Sequence, residues 1–156
     1  MSNNGSSLDS VLWSIAIPGF GQLLNKKYIK GIVLILLEFI INVKANINTL
    51  IVLSFYGQTE LAVEQADYRW LMFYPCVYIY SIWDAYRDSR ENVPPLLSIP
   101  FAISAYVETI GVIYSKTFRI NGVLLGPIFL PMICIFVGLG LGFIIRSLII
   151  KEIQKR

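Results

Sequence analysis

Two glutamates, Glu38 and Glu108, each lie inside a long run of apolar residues. A carboxylate at such a depth is costly to solvate, so it must face protein or water, and it is a candidate for moving a proton or another cation. The alternative is structural, because Lys44 also lies in an apolar run and could neutralise either carboxylate. The sequence leaves the conduction role and the pairing role open.

Both glutamates have polar neighbours at helical spacing. In the apolar run that contains Glu38, four polar residues fall within about 80° of one another on a helix that turns 100° per residue. They form a stripe, namely Glu38, Asn42, Asn46 and Thr49. Lys44 and Asn48 fall together on another face. Ser104 precedes Glu108 by one turn and shares its helix face.

A third carboxylate, Asp84, closes an aromatic run that begins at Trp70. Tyr74, Tyr78, Ser81 and Asp84 recur at helical spacing in this run. An aromatic belt at a membrane surface explains Trp70 and Trp83 without any ligand, whereas a cation or cofactor site is the competing interpretation.

Several kinds of chemistry are excluded by composition. The chain has no histidine, which removes the commonest metal ligand and general base. Cys76 and Cys134 lie in apolar runs, where a thiol acts as a small hydrophobe. No nucleophile is paired with a base, so we expect neither an enzyme nor a cofactor. A net charge of +3 without a basic stripe argues against a nucleic-acid partner.

The overall composition predicts a membrane protein. Hydrophobic residues make up 56% of the chain and charged residues only 15%. The backbone of a segment in lipid must satisfy its own hydrogen bonds, and long unbroken apolar runs favour helices over a barrel. The predicted fold is therefore all-α and polytopic.

About five transmembrane segments are predicted, at residues 8–24, 31–56, 70–83, 96–115 and 124–145. The first contains Pro18 and is short, so a re-entrant or interfacial helix plus four spans is the alternative. Residues 1–7 are expected to be a disordered tail. Residues 8–93 are expected to form a three-segment module, and residues 94–156 a two-helix hairpin with a basic tail.

The basic residues predict an orientation. If five segments cross, nine lysines and arginines fall on the side of the C-terminus and three on the other side, which also carries the acidic loop of residues 57–67. The positive-inside rule then places the C-terminus in the cytoplasm of a multi-pass cell-membrane protein.

Glycines mark places where helix backbones can approach closely. Gly138 and Gly142 have the Gly-x-x-x-Gly spacing in the last span, which predicts a contact within the chain or between copies. Gly19 and Gly21 predict a tight hairpin next to Gln22, with a ligand groove as the alternative.

Three elements carry a resemblance to a known group. The segments Ile17-Pro18-Gly19-Phe20-Gly21-Gln22, Asn25-Lys26-Lys27-Tyr28-Ile29-Lys30-Gly31 and Trp83-Asp84-Ala85-Tyr86 together resemble the small bacterial two-transmembrane-domain proteins. In those proteins a glycine-rich apolar segment, a basic turn with a tyrosine and a second helix recur. The resemblance covers residues 11–90 and implies a membrane hairpin, but no particular activity.

These observations predict a structural, assembly or scaffold component of the membrane. Its expected partners are the lipid bilayer and either another membrane protein or a second copy. The alternative is a small transporter or channel component that uses Glu38 and Glu108.

Overall fold

The computed structural model describes residues 3–155, with side chains from Ser7 onward. The chain is 77% helical, which confirms the all-α prediction. The N-terminal half contains helices α1 (Asn3–Ala16), α2 (Phe20–Leu24), α3 (Tyr28–Ala45), α4 (Ile47–Phe55), α5 (Thr59–Gln65), α6 (Tyr68–Leu71) and α7 (Tyr74–Asp88). The C-terminal half contains α8 (Ser98–Tyr114), a hairpin of β1 (Arg119–Ile120) and β2 (Val123–Leu124), and α9 (Gly126–Gln154).

The prediction of about five membrane spans is wrong. Within residues 3–155, only α9 is both long enough and apolar enough to cross a membrane. The alternative of four spans plus a re-entrant helix is wrong for the same reason. The multi-pass topology is therefore not supported either. Only 22% of the most apolar 18-residue stretch of α9 is buried inside the structure. A core helix of a soluble protein would be mostly buried, so this exposure fits association with a membrane.

Local backbone geometry explains why the other apolar runs are divided. The first run breaks between α1 and α2, where Gly19 has a φ of 102°. The second breaks at Asn46, which takes the left-handed conformation with a φ of 60° and donates from its side chain to the carbonyl of Gln65. Asparagine tolerates this conformation better than most residues. The third run is divided between the end of α6 and the 15 residues of α7, and α8 has 17 residues.

Helix α1 begins inside the segment that composition predicts to be a disordered tail. It is helical from Asn3 onward, and residues 1 and 2 lie outside the described residues. The buried hydroxyl of Ser7 accepts a hydrogen bond from Ser89, just beyond the end of α7, at 2.8 Å. The start of α1 is therefore attached to the rest of the fold.

The hydrophobic core lies where α3, α4, α5, α6 and α8 meet. Its buried members are Ile41, Ala45, Ile47, Leu50, Ala62, Leu71 and Val112. The break at Asn46 lets α3 and α4 both contribute to this cluster from different directions. The polar stripe expected on one long helix is consequently divided between two helices.

Small residues hold α8 and α9 together as a hairpin. A Cβ added to Gly138 would lie 2.6 Å from the Cα of Ser104, and one added to Gly142 would collide with Pro100. The hydroxyl of Ser104 donates to the carbonyl of Ile135 at 3.0 Å. Gly138 and Gly142 therefore face α8 of the same chain.

We expect Gly142→Ile to destabilise the fold by about 1–3 kcal/mol, because the new side chain must push apart two packed backbones. Gly140 provides a matched control, since nothing lies within 4 Å of a Cβ added there. Thermal unfolding in detergent should show a lower Tm for Gly142→Ile than for Gly140→Ile. Equal melting temperatures would contradict this packing.

Candidate functional site

Two regions contain the buried carboxylates, and they differ in how those carboxylates are satisfied. The first, named here the Asp84 cluster, consists of Gln22, Lys30, Asp84, Arg87 and Asp88. Asp84 is fully buried. Its Oδ1 lies 2.9 Å from Lys30 Nζ and 2.8 Å from Arg87 Nη2, and its Oδ2 accepts from Gln22 Nε2 at 3.2 Å. Each oxygen of this buried carboxylate is therefore paired.

Asp88 completes the charge balance one turn later on α7. Its two oxygens lie 2.8 Å from Lys30 Nζ and 2.9 Å from Arg87 Nη2. Burial by itself would raise the pKa of Asp88, but the hydrogen bonds from Lys30 and Arg87 outweigh it and hold that pKa below its ordinary value. Burial would lower the pKa of Lys30, but its hydrogen bonds to Asp88 and Asp84 raise it. Both groups thus stay charged at neutral pH.

The residues around Gly19 attach to α7 through backbone as well as side-chain atoms. The N–H of Gly19 donates to Ser81 Oγ at 3.3 Å, and Gln22 Nε2 donates to the carbonyl of Ser81 at 2.8 Å. Asn25 Nδ2 donates to the carbonyl of Ala85 at 2.8 Å. A side chain at Gly21 would collide with Ala85 and with α1. The glycine-rich segment and the Trp-Asp-Ala-Tyr segment therefore pack directly against each other.

The Asp84 cluster is suited to joining α2, α3 and α7. Both carboxylates of the cluster are paired with basic side chains. The side chain of one of these, Lys30, is 40% exposed. The sequence singled out Asp84 but treated Arg87 and Asp88 only as charges flanking a span. The missed signal is the spacing of Asp84, Arg87 and Asp88, which puts all three on one helix face.

The second region is an apolar groove with a volume of about 1160 Å³, lined by α1, α4, α7, α8 and α9. Residues of α9 from Pro127 to Arg146 contribute to it, a rise of about 28 Å along the helix. Its walls are mostly aliphatic and aromatic side chains, such as Ile79, Phe101 and Leu139. The groove thus has both the length and the surface chemistry to receive hydrocarbon.

Glu108 is the acidic residue in the lining of this groove. It is 3% exposed, and its Oε2 has no hydrogen-bond partner in the described part of the chain. Tyr74 and Tyr78 line the groove too and stack on each other with ring centroids 5.4 Å apart. The hydroxyl of Tyr78 is directed to the carbonyl of Ile15, at 3.1 Å. Glu108 therefore borders an apolar space and has one carboxyl oxygen without a hydrogen-bond partner among the described residues.

The other predicted polar residues lie outside this groove. Glu38 is half-buried and accepts from Asn42 Nδ2 at 3.3 Å. Lys44 is exposed and takes part in none of the ion pairs found among the described residues, so it neutralises neither Glu38 nor Glu108 there. Lys44 is therefore not brought to either glutamate, and of the two only Glu108 lines the groove. Burial raises the pKa of Tyr74 and the charges of both glutamates add to this effect, so Glu38 lies near the same tyrosine as Glu108.

Within residues 3–155, no group of three or more acidic, cysteine or histidine side chains is arranged to hold a metal ion. Cys76 and Cys134 are free thiols. The chemistry available in the groove is therefore hydrophobic contact together with the carboxyl group of Glu108, the hydroxyls of several tyrosines and the guanidinium groups of Arg90 and Arg146.

We expect Asp84→Asn to destabilise the fold by about 1.5–3 kcal/mol, because it removes the fully buried anion that joins Lys30, Arg87 and Gln22. Only Asp88 is then left to pair with the two cations. Glu60→Gln is the control, since Glu60 pairs with Arg119 on the surface at 2.7 Å and exposed pairs contribute about 0–1 kcal/mol. Denaturant or thermal unfolding in detergent measures both. A loss for Asp84→Asn no larger than for Glu60→Gln would refute a structural role for the cluster.

Comparison of this chain with family models, with curated proteins and with solved structures finds no match. The resemblance to two-transmembrane-domain proteins therefore stays a prediction from its residues, and function is argued from the geometry of the groove.

Proposed function

We propose that this chain is a membrane-anchored binding protein whose groove holds an amphiphile with a long hydrocarbon part. In this proposal helix α9 supplies the anchor, and the basic residues at its C-terminal end favour a cytoplasmic C-terminus. No catalytic step is included in the proposal. The bilayer is both the location of the protein and the source of its ligand.

The observation that carries this proposal is the unpartnered Oε2 of Glu108, the one acidic residue in the lining of a mostly apolar groove. A buried polar atom without a hydrogen bond costs about 1–3 kcal/mol, and a ligand that supplies a donor recovers that cost. The ligand is therefore a hydrocarbon amphiphile that carries a hydroxyl, an amide N–H or an ammonium group at the level of Glu108.

The permeation hypothesis receives less support from the geometry. It needs polar groups that follow one another along a passage, but Glu38 does not line the groove and Glu108 is surrounded by apolar walls. A single carboxyl group accompanied by the tyrosines Tyr74 and Tyr78 is better suited to recognising one polar group than to relaying a series of cations.

An assembly or scaffold role remains a second candidate because large apolar side chains face outward from α3. Ile29 is 83% exposed and Phe39 is 64% exposed. Apolar surfaces of this kind contact lipid or another protein, which includes a second copy of this chain. The two candidates are compatible, since the outward face of α3 and the groove are different surfaces.

Binding should depend on the donor that meets Glu108. Single-chain amphiphiles with a hydroxyl at different positions along the chain should bind the purified protein with different affinities. Burial raises the pKa of Glu108 to about 8, so its carboxyl group is mostly neutral at pH 7. The best amphiphile should therefore exceed its hydroxyl-free analogue roughly two- to tenfold, as one uncharged hydrogen bond allows. Glu108→Leu should remove this preference, whereas Glu38→Leu should retain it. Calorimetry in detergent measures the affinities. A wild-type protein that ignores the hydroxyl, or a Glu108→Leu variant that retains the preference, would disprove the role of Glu108.

The orientation of the anchor can be tested separately. Cysteines introduced at Asn121, before α9, and at Lys155, after it, should be labelled by a membrane-impermeant maleimide from opposite sides. The background carries Cys76→Ser and Cys134→Ser, so that only the new thiol reacts. In intact cells Asn121→Cys should react and Lys155→Cys should react only after lysis. Labelling of both in intact cells would rule out a cytoplasmic C-terminus.

A further inference from the structure

The groove has a charged end, formed by Arg90 and Arg146. Arg90 is exposed, and its guanidinium lies over the ring of Tyr86 at 4.4 Å from the centroid. Arg146 Nε donates to the carbonyl of Pro95 at 3.0 Å. Neither arginine forms an ion pair with any residue between positions 3 and 155. Two guanidinium groups without anions therefore border the same end of an apolar groove.

Glu108 is too distant to neutralise these arginines. On α8 it lies between Ser104, which donates to the carbonyl of Ile135, and Gly111, which packs on Pro131. Glu108 is therefore level with residues 131–135 of α9, which precede Arg146 by roughly 16–23 Å at 1.5 Å per residue. The groove thus has a cationic end and a separate acceptor deep in its apolar part.

We propose that the ligand in the groove is a phospholipid with a net negative headgroup, whose phosphate is bound by Arg90 and Arg146. This inference rests on the proposed function, since it assigns the headgroup of that amphiphile. The donor that meets Glu108 is then carried on the hydrocarbon chain, roughly 16–23 Å from the phosphate. Guanidinium groups present paired N–H donors that match phosphate oxygens. The contacts with Tyr86 and Pro95 hold both guanidinium groups at the groove while leaving terminal N–H donors for the ligand.

The size of the groove favours a lipid over a free anion or a small molecule. A volume of about 1160 Å³ is above the 300–1,000 Å³ usual for small-molecule pockets. An anion alone would fill only the arginine end and leave the apolar length exposed. The chains of a phospholipid fill that length, and the arginines lie where the apolar part of α9 ends, at the level expected for headgroups.

The test uses the full chain in nanodiscs of phosphatidylcholine that contain a trace of a lipid with a photoreactive acyl chain. The probe carries either a phosphatidylglycerol or a phosphatidylcholine headgroup on the same chains. We expect at least tenfold more crosslinking of the anionic probe to groove residues of α8 and α9, located by peptide mass spectrometry. Inorganic phosphate at millimolar concentration should not compete, because it lacks the chains.

The double variant Arg90→Gln/Arg146→Gln should lose the preference for the anionic probe. Its matched control is Lys151→Gln/Lys155→Gln, which removes two positive charges beyond the same end of α9 from residues that do not line the groove. The control should keep the preference. Arg90→Lys/Arg146→Lys preserves charge and provides a second comparison if the glutamine variant folds poorly, and it should retain a reduced preference.

The outcomes separate this inference from the proposed function. Groove labelling that is equal for both headgroups, or a preference that the lysine control loses as fully as the arginine variant does, would overturn the phosphate assignment while leaving an acyl-binding groove. Competition by inorganic phosphate would replace the lipid with a free anion. Absence of any groove labelling would overturn both proposals.

Discussion

The carboxylate of Asp84 is withdrawn from solvent, and a buried charge is tolerated only where counter-charges and hydrogen bonds surround it. Lys30 must therefore reach it from α3, Arg87 from the next turn of α7, and Gln22 from α2. This requirement fixes three helices relative to one another. The glycine-rich turn then needs glycine because it lies against α7 with no room for a side chain. The packing of α7 places Tyr74 and Tyr78, which form part of the groove wall.

Asp84 and Glu108 illustrate two consequences of burying the same chemical group. Partners from three helices satisfy Asp84, so its charge stabilises the fold and has no acceptor left for a ligand. Glu108 is almost as buried, but one of its oxygens has no partner within the described chain. Such an atom lowers stability unless something else supplies a donor. The fold can tolerate that cost because the Asp84 cluster and the close packing of α8 on α9 hold the surrounding helices in place.

The all-helical fold and the apolar character of α9 could be predicted from composition and run length. The interruptions of the other runs could not, because hydropathy averages over residues such as Asn46 whose effect lies in one backbone dihedral angle. The turn of the β-hairpin could have been recognised from the sequence, because Asn121-Gly122 is a common pair at two left-handed positions of a hairpin turn. The ion pair between Lys30 and Asp84 could not be predicted, because the two residues lie 54 positions apart in the sequence. Glu108 was singled out by its depth, whereas its lack of a partner depends on the tertiary fold.

The hairpin of α8 and α9 connects the anchor to the groove. Gly138 and Gly142 bring α9 close to α8, and that closeness places one side of α9 along the groove while the opposite side remains exposed. In the proposed function, this helix contacts the membrane on its exposed face and lines the groove with residues from Pro127 to Arg146. A hydrocarbon chain could enter sideways from the bilayer without crossing water, because both environments are apolar along the length of α9. The headgroup would need polar contacts, which the arginines at the end of the groove supply, and one donor on the chain would meet Glu108.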